Sequence, residues 1–209
     1  MITGESGTGK ELIARAIHQH SQYTAGNFVA LNCSAIPAEL FEGELFGHTD
    51  GAYTGSRKGG RKGLIAEAQK GALFLDEVSE LTLEQQAKLL RFIQERSYRP
   101  VGGNQEMASD LKLIAATNTP LNDLVEQGRF RHDLFYRLNV LNLAVPALRS
   151  RPDDIAAIAY AKLELFLARS QLKHDPRIII DEILPALLQY SWPGNVRELE
   201  NILERLTAT

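Results

Sequence analysis

Apolar and polar positions along the first two thirds of the chain predict helices and strands in alternation. Apolar side chains recur on one helical face over residues 11–21, and a capping box at Thr82 and Gln85 predicts a helix to about Glu95. Together these patterns predict an α/β fold, a mostly parallel sheet sandwiched by helices. The apolar runs typical of strands lie at residues 27–32, 72–75, 111–116 and 140–145.

After residue 146 the pattern changes, and helical periodicity replaces the alternation. Residues 153–170 predict one helix, and Asn195 opens another, with Glu198 at the third position after this cap. The apolar triplet at residues 178–180 is a short strand-like signal, and Pro185 is expected to begin or kink a helix. We therefore predict an α/β subdomain over residues 1–147 and a small all-helical subdomain over residues 148–209.

Composition limits the classes of protein that fit. A chain of 209 residues can bury one sizeable core, or one core with a small satellite. The net charge of −3 does not by itself indicate a nucleic-acid-binding surface. The single cysteine, Cys33, excludes an internal disulfide framework and fits a reducing compartment. No apolar run is long enough to span a membrane, so we expect a cytoplasmic protein without a membrane partner.

A glycine-rich segment near the start has the pattern of a phosphate-binding P-loop. Its glycines allow successive backbone N–H groups to converge on a phosphate, and a helix N-terminus follows. Lys10 is expected to neutralise the β- and γ-phosphates of ATP. The alternative, a flexible polar loop, does not explain the helix that follows, and the glycine spacing is wrong for a dinucleotide fingerprint. The segment is Gly4-Glu5-Ser6-Gly7-Thr8-Gly9-Lys10.

The sequence around this motif differs from a complete P-loop unit in two ways. Glu11 occupies the position where a Ser or Thr normally ligates Mg²⁺, so the metal is expected to depend on Asp76 and water. A P-loop also needs a strand before it, and only three residues precede Gly4. We therefore expect a piece of a longer protein, truncated in its first strand, that binds ATP more weakly than its parent.

Polar side chains follow two of the predicted strands. Asp76 and Glu77 end the buried run at 72–75, where one carboxylate can hold Mg²⁺ and the other can polarise an attacking water. Asn118 ends the next strand, where it is expected to sense the γ-phosphate or orient that water. The alternatives are a solvated strand end for the two acids and a turn before Pro120 for the asparagine. Together with the P-loop, the acidic pair favours ATP hydrolysis.

Six motifs occur in an order that strongly resembles one family. The resemblance is to the central AAA+ domain of bacterial sigma-54-dependent transcriptional activators, or enhancer-binding proteins, and it covers nearly the whole chain. The motifs are residues 4–11, Glu44-Leu45-Phe46-Gly47-His48, Gly51-Ala52-Tyr53-Thr54-Gly55-Ser56, Phe74-Leu75-Asp76-Glu77, Phe130-Arg131-His132-Asp133-Leu134-Phe135-Tyr136-Arg137-Leu138, and Trp192-Pro193-Gly194-Asn195-Val196-Arg197-Glu198-Leu199.

The resemblance assigns roles in ATP binding and hydrolysis. It implies that residues 4–10 act as Walker A and that Asp76 and Glu77 act as Walker B. In this family a Glu commonly follows the P-loop Lys, so Glu11 departs only from the generic motif. Asn32 resembles the residue that restrains the catalytic Glu until the target is engaged.

The resemblance also implies a shared site and a ring. Asn118 resembles the first sensor, and Arg197 resembles the second sensor, in the helical lid. Arg131 and Arg137 resemble the fingers inserted into the neighbouring subunit's site, which implies a homo-oligomeric ring, a hexamer in this family. The alternative for these arginines is pairing with Asp133 or exposure to solvent.

The segment from Gly51 to Ser56 is the most informative about a partner. A glycine-flanked loop with an aromatic residue can move and still present a rigid contact. The resemblance implies that this loop contacts sigma-54 and transmits the hydrolysis stroke. Tyr53 stands where the family usually has Phe, and Ser56 where it usually has Ala. The alternative is a glycine turn with one exposed tyrosine.

Three functions therefore remain open at this point. The first is a mechanochemical ATPase that remodels sigma-54 RNA polymerase to activate transcription. The second is a ring ATPase that acts on another protein or sigma factor, and the third is a nucleotide-gated binding module without turnover. Family members usually carry an N-terminal regulatory domain and a C-terminal helix-turn-helix. Neither is present in this sequence, so DNA is expected to be recognised only by a domain absent from this chain.

Overall fold

A computed structural model describes residues 1–51 and 60–208, and these residues form two compact units. The first unit contains Met1–Thr3 and Glu11–Leu143. The second contains Gly4–Lys10 together with the described residues from Ala144 onward. The P-loop motif therefore groups with the C-terminal part of the chain.

The strands are short, and most of them belong to one sheet. Its order is β2-β5-β8-β1-β9, and β2 with β5, β5 with β8 and β1 with β8 are parallel neighbours. The strands are β1 (Ile2–Thr3), β2 (Phe28–Asn32), β3 (Gly47–His48), β4 (Arg61–Lys62), β5 (Ala72–Asp76), β6 (Ser97–Tyr98), β7 (Met107–Ala108), β8 (Lys112–Thr117) and β9 (Leu143–Ala144).

Strand β5 is the centre of the first unit's core. Ala72, Leu73, Phe74 and Leu75 are each at most 1% exposed, and β2 and β8 flank the strand on its two edges. Such a continuous apolar run is typical of a strand buried on both faces. The register pairs Asn32 of β2 with Asp76 of β5, so the polar ends of these strands lie at the same edge.

Helices follow most of the strands in the first unit and make up most of the second. In the second unit α7 packs against α8 and α9 around a core that includes Leu148, Ile155 and Trp192. The helices are α1 (Lys10–Gln19), α2 (Phe41–Phe46), α3 (Leu64–Glu67), α4 (Leu83–Glu95), α5 (Leu121–Glu126), α6 (His132–Leu138), α7 (Pro152–Arg169), α8 (Pro176–Gln189) and α9 (Asn195–Ala208).

The predicted parallel sheet with helices, followed by a helical region, is confirmed. Among the described residues, the helices are all too short or too polar to cross a membrane. The capping box is also confirmed, since Thr82 Oγ1 accepts from Gln85 N at 3.3 Å and Gln85 Oε1 accepts from Thr82 N at 2.8 Å. Helix α4 then runs from Leu83 to Glu95, as the pattern predicted.

One local prediction was wrong. The run at 140–145 forms only the two-residue strand β9, and Val140 and Leu141 are 75% and 81% exposed. The strand-like triplet at 178–180 belongs to helix α8, so it does not interrupt the helical region. This helix begins at Pro176, where the Asp175 side chain accepts from Arg177 N at 2.9 Å, and Pro185 lies inside it.

We expect Thr82→Ala to lower the free energy of unfolding of the first unit by about 1 kcal/mol, because it removes the acceptor for the Gln85 amide. Thr82→Ser keeps the hydroxyl and is the matched control. Urea unfolding followed by circular dichroism measures both variants. Equal stability of the two variants would show that the capping box contributes nothing here.

Candidate functional site

The P-loop backbone has a conformation that its glycines alone permit. Gly7 has a φ of +77°, in the left-handed region that L side chains rarely adopt. A Cβ atom on Gly7 would also lie 2.3 Å from the Gly194 carbonyl oxygen. The segment therefore combines the turning backbone of a phosphate cradle with close packing against the segment before α9.

Lys10 points its ammonium group back onto this loop. The residue is only 6% exposed, and its Nζ donates to the carbonyls of Gly4 at 2.9 Å and Glu5 at 3.1 Å. These contacts place a positive charge within the loop, as the P-loop prediction requires. A phosphate group bound there would offer that ammonium a charged acceptor in place of neutral carbonyls.

Glu5 is held by two residues of the helical part. Its carboxylate forms a two-point ion pair with the Arg149 guanidinium, with NH1 2.8 Å from Oε2, and it accepts from Asn195 Nδ2 at 3.1 Å. These hydrogen bonds, that of Arg149 first, lower the pKa of Glu5 to about 2. Glu5 is therefore an anion at any physiological pH and supports the loop through the lid residues.

Arg197, predicted as the second sensor, lies against the P-loop. Its backbone N–H donates to the Gly7 carbonyl at 3.3 Å, and its NH1 donates to Ser6 Oγ at 3.1 Å. The side chain is exposed. The guanidinium thus lies beside the loop that is predicted to bind phosphates.

The acidic pair ends strand β5 in the first unit. Asp76 Oδ1 accepts the backbone N–H of Glu77 at 3.0 Å, and both residues are half-buried. Glu77 itself has a φ of 55°, a left-handed conformation that is uncommon for a non-glycine residue. Strain of this kind concentrates at functional sites, where the surrounding structure imposes it.

Asn118 contacts the carboxylate of Glu77. Its Nδ2 donates to Glu77 Oε1 at 3.2 Å, while its Oδ1 accepts from Thr119 Oγ1 at 3.0 Å. The amide of Asn32, by contrast, accepts at Oδ1 from the N–H and the hydroxyl of Ser34, at 2.9 and 2.7 Å. The structure thus brings the predicted first sensor to the predicted catalytic glutamate.

The charges of the acidic pair affect the thiol of Cys33. Burial, and then the charges of Asp76 and Glu77, raise the pKa of its thiol to about 12. A thiol with so high a pKa is protonated at neutral pH and a poor nucleophile. Cys33 is therefore a buried, protonated thiol near the acidic pair.

The acidic pair suits a magnesium ion that is shared with a nucleotide. Among the described residues no group of three or more His, Cys, Asp or Glu side chains could hold a metal. Mg²⁺ in nucleotide sites typically takes one or two carboxylates and completes its shell with phosphates and water, so Asp76 fits that use. Glu11 is engaged elsewhere, because Arg15 donates to its Oε1 at 2.6 Å.

The two predicted finger arginines have different surroundings. Arg131 forms a two-point ion pair with Asp133, with its Nε and NH2 at 3.0 and 2.7 Å from the carboxylate oxygens. The Arg131 hydrogen bond lowers the pKa of Asp133. Arg137 lies in the last turn of α6 and is exposed. Pairing with Asp133, the alternative to a finger role, is therefore observed for Arg131.

Gln86 was missed by the motif reasoning. It is fully buried in α4, and its Nε2 donates to the carbonyls of Leu81 at 2.8 Å and Arg129 at 3.0 Å. Its Oε1 accepts the backbone N–H of Arg131 at 2.8 Å. A glutamine on the buried face of an amphipathic helix was the available signal, because a buried amide needs partners.

Asn195 was recognised only as a helix cap, and Arg149 and Arg151 were not recognised. Asn195 is fully buried, with a φ of 52°, and its side chain contacts Glu5, Ser6 and Leu148. Arg151 NH2 donates to the carbonyl of Thr8 at 3.1 Å. These residues lie far from the P-loop in sequence, so no local pattern connects them to it.

The predicted partner loop is described only at its start. Gly51 is exposed, whereas Ala52, Tyr53, Thr54, Gly55 and Ser56 lie outside the described residues. The segments on either side pair as antiparallel strands β3 and β4, with Gly47 opposite Lys62 and His48 opposite Arg61. His48 and Arg61, which precede and follow the intervening segment, therefore lie next to each other.

We expect Gln86→Leu to lower the free energy of unfolding by about 2–4 kcal/mol, because it leaves the Arg131 N–H and the Arg129 carbonyl buried without their partner. Gln85→Leu, one residue earlier in α4, is the comparison, since it removes only the cap contact to Thr82. Urea unfolding compares them, and a smaller loss for Gln86→Leu contradicts the assignment.

Two family models match consecutive parts of the chain. The Sigma-54 interaction domain matches residues 1–144, and the AAA+ ATPase lid domain matches residues 149–209. The matches therefore cover both the α/β region and the helical region.

Curated relatives and solved structures agree with these matches. The regulatory protein AtoC of Escherichia coli is 50% identical over 98% of this chain and 44% of its own length. The DNA-binding transcriptional regulator NtrC of Azospirillum brasilense is 48% identical over 99% of this chain and 42% of its own. The chain thus spans less than half the length of these relatives.

Crystal structures of NtrX from Brucella abortus have a similar fold. One superposes over the whole chain and 45% of NtrX with a TM-score of 0.88 at 38% identity. Another, in complex with ATP, covers the whole chain and 44% of NtrX with a TM-score of 0.83 at 36% identity. A similar domain in NtrX therefore belongs to a protein that has been crystallised with ATP.

Proposed function

Because the chain belongs to the sigma-54 interaction domain family and carries an AAA+ lid, we propose that it hydrolyses ATP to remodel sigma-54 RNA polymerase and activate transcription. The observation that best supports hydrolysis is the contact between Asn118 and the strained Glu77, beside Asp76 at the end of β5. The observation that carries the partner is the family match over residues 1–144.

The phosphates of ATP are proposed to bind at the P-loop. Backbone N–H groups of residues 4–10 and the N-terminus of α1 present positive potential to an anion. Lys10 exchanges its contacts with the Gly4 and Glu5 carbonyls for the β- and γ-phosphates. Arg197, which already contacts Ser6 Oγ, is placed to respond to the nucleotide as the second sensor.

Hydrolysis is proposed to depend on the acidic pair. Glu77 accepts a proton from the attacking water, and Asn118 holds the Glu77 carboxylate in position for this transfer. Asp76 would hold Mg²⁺, which supplies charge neutralisation for the transferring phosphoryl group. Asn32, fixed at its oxygen by Ser34, keeps its amide N–H₂ as the end that can restrain Glu77 until the target is engaged.

Arginines from a neighbouring subunit are proposed to complete the reaction. An arginine finger stabilises the charge that spreads over the phosphoryl group in the transition state. Arg131 precedes α6 and Arg137 lies in its last turn, and both are exposed, so a second copy can contact them. This arrangement requires a ring of subunits, and the family implies a hexamer.

The segment Gly51–Ser56 is proposed to contact sigma-54, and DNA recognition is proposed to lie in a helix-turn-helix domain outside this chain. The alternative target, another protein or sigma factor, rested on Ser56 alone. The family match favours sigma-54, so the alternative is not carried further.

Two inactive variants should complement each other if the site is shared. We expect Glu77→Gln to reduce hydrolysis by about 10²–10⁴-fold and the double variant Arg131→Ala/Arg137→Ala by about 10³–10⁵-fold. Mixing the two should restore part of the ATPase activity, because one subunit supplies Glu77 and its neighbour supplies the arginines. Glu80→Gln, on the exposed turn after Glu77, is the control.

The concentration dependence of the wild-type activity tests the ring itself. Activity per subunit should rise with protein concentration as rings assemble. A mixture that stays inactive, or a wild-type activity that is independent of concentration, contradicts the shared site. A wild-type chain that binds ATP without hydrolysing it would instead support a nucleotide-gated binding module.

We expect Tyr53→Ala to abolish capture of sigma-54 in the presence of ATP and a transition-state analogue, while ATPase activity is retained. Tyr53→Phe keeps the aromatic ring and should retain capture. Pull-down with purified sigma-54 measures both variants. ATPase activity without any wild-type capture of sigma-54 would overturn the proposed partner.

A further inference from the structure

The carbonyl groups of the P-loop share one property: each from Gly4 to Thr8 accepts a hydrogen bond from a side chain or backbone of the second unit. Lys10 Nζ donates to the first two. Residues of the helical part donate to the other three: Asn195 Nδ2 to Ser6 O at 3.0 Å, Arg197 N to Gly7 O at 3.3 Å, and Arg151 NH2 to Thr8 O at 3.1 Å.

These contacts set the direction of the loop's N–H groups. In a planar trans peptide the carbonyl of one residue and the N–H of the next point in opposite directions. Donors that hold the carbonyls of Ser6, Gly7 and Thr8 therefore turn the following three N–H groups away from the lid residues. Successive N–H groups turned to one side form the concavity that binds an anion.

Asn195 is the most constrained of these donors. It is completely buried, and its left-handed φ of 52° is one that asparagine tolerates better than most residues. Its Oδ1 accepts the N–H of Leu148 at 2.8 Å, and its Nδ2 donates both to Ser6 O and to Glu5 Oε2. Only a side chain with an acceptor on one end and two donors on the other can make all three bonds.

We propose that Asn195 is a positioning residue for nucleotide binding, which holds the Ser6 peptide so that the P-loop presents its N–H groups to the β-phosphate. The proposal rests on the proposed binding of ATP at this loop. The two ends of the amide have separate roles: the oxygen supports the start of the lid through Leu148, and the nitrogen orients the loop. Helix capping, the role that the sequence suggested, uses neither end.

Two substitutions separate these roles. Asn195→Asp keeps the acceptor for Leu148 and tolerates the left-handed backbone, but it loses both donors. Asn195→Ala loses the acceptor as well. We expect the Kd for ADP to rise by about tenfold or more in both variants, because each loses the bond to Ser6 O. The urea midpoint measures the loss of stability in each variant, which arises from the lost Leu148 contact in Asn195→Ala and from the like-charge contact with Glu5 in Asn195→Asp.

A paired substitution removes the like-charge contact between residue 195 and Glu5. In Glu5→Gln/Asn195→Asp the new amide at position 5 can donate to the new carboxylate, whereas Ser6 O still lacks its donor. The reference for this pair is Glu5→Gln alone. We expect the Kd for ADP to be about fivefold higher in the pair than in the reference, at a similar unfolding midpoint.

Both readouts use the full chain. Displacement of a fluorescent ADP analogue measures the Kd, and fluorescence of Trp192, the single tryptophan, follows unfolding of the second unit. An ADP Kd that rises in Asn195→Ala but not in Asn195→Asp assigns the effect to lid stability and overturns the proposal. Wild-type affinity in both variants, or a pair equal to its reference, also overturns it. A wild-type chain that fails to bind ADP contradicts the proposed function instead.

Discussion

A phosphate-binding loop has to orient its peptide groups before an anion arrives, and this requirement organises the second unit of the chain. Backbone N–H groups can face a phosphate only if the carbonyls of the same peptide groups accept hydrogen bonds from other donors. A buried carbonyl without a donor costs free energy. The helical part supplies Asn195, Arg151 and the N–H of Arg197 for that purpose. The helical part therefore also has a structural role, because its residues hydrogen-bond the carbonyls of the P-loop.

A second constraint operates in the first unit, where the buried strand β5 fixes the acidic pair. Leu75 is fully buried, so a slip of the strand by one residue would move the charged Asp76 into a buried position. Asp76 and Glu77 are consequently presented at the sheet edge with a fixed register to Asn32. The left-handed backbone of Glu77 is tolerated there because the strand before it and the Asn118 contact after it are both well determined.

The sequence predicted those features whose cause is local. The apolar run of β5, the capping box of α4 and the glycine pattern of the P-loop each depend on neighbouring residues, and each was identified. The triplet at 178–180 looked strand-like inside a helical region because a short apolar run has the same pattern in a helix as in a strand. The Asp175-Pro176 pair before it was the better signal, since it places an N-cap and a proline at the start of a helix.

What the sequence could not predict depends on contacts between distant residues. Asn195 has the residue type and spacing of a cap, and only its left-handed backbone directs its amide to Ser6 and Leu148. Val140 and Leu141 are apolar but exposed, and the strand predicted from their apolarity does not form at these residues. Local patterns thus identified the chemical groups of the site, while the residues that orient them required the fold.

The predicted finger arginines show how a fixed backbone and a releasable side chain can be combined. Buried hydrogen bonds from Gln86 hold the backbone around Arg131, and losing one of them costs about 1–3 kcal/mol. The guanidinium instead pairs with Asp133 at the surface, where both side chains are more than 40% exposed and solvent weakens the pair. A polyphosphate offers more negative charge than one carboxylate, so it can displace Asp133 without disturbing the backbone. The strong interactions therefore fix the backbone of Arg131, and the weak one leaves its side chain free to take the finger role proposed for it.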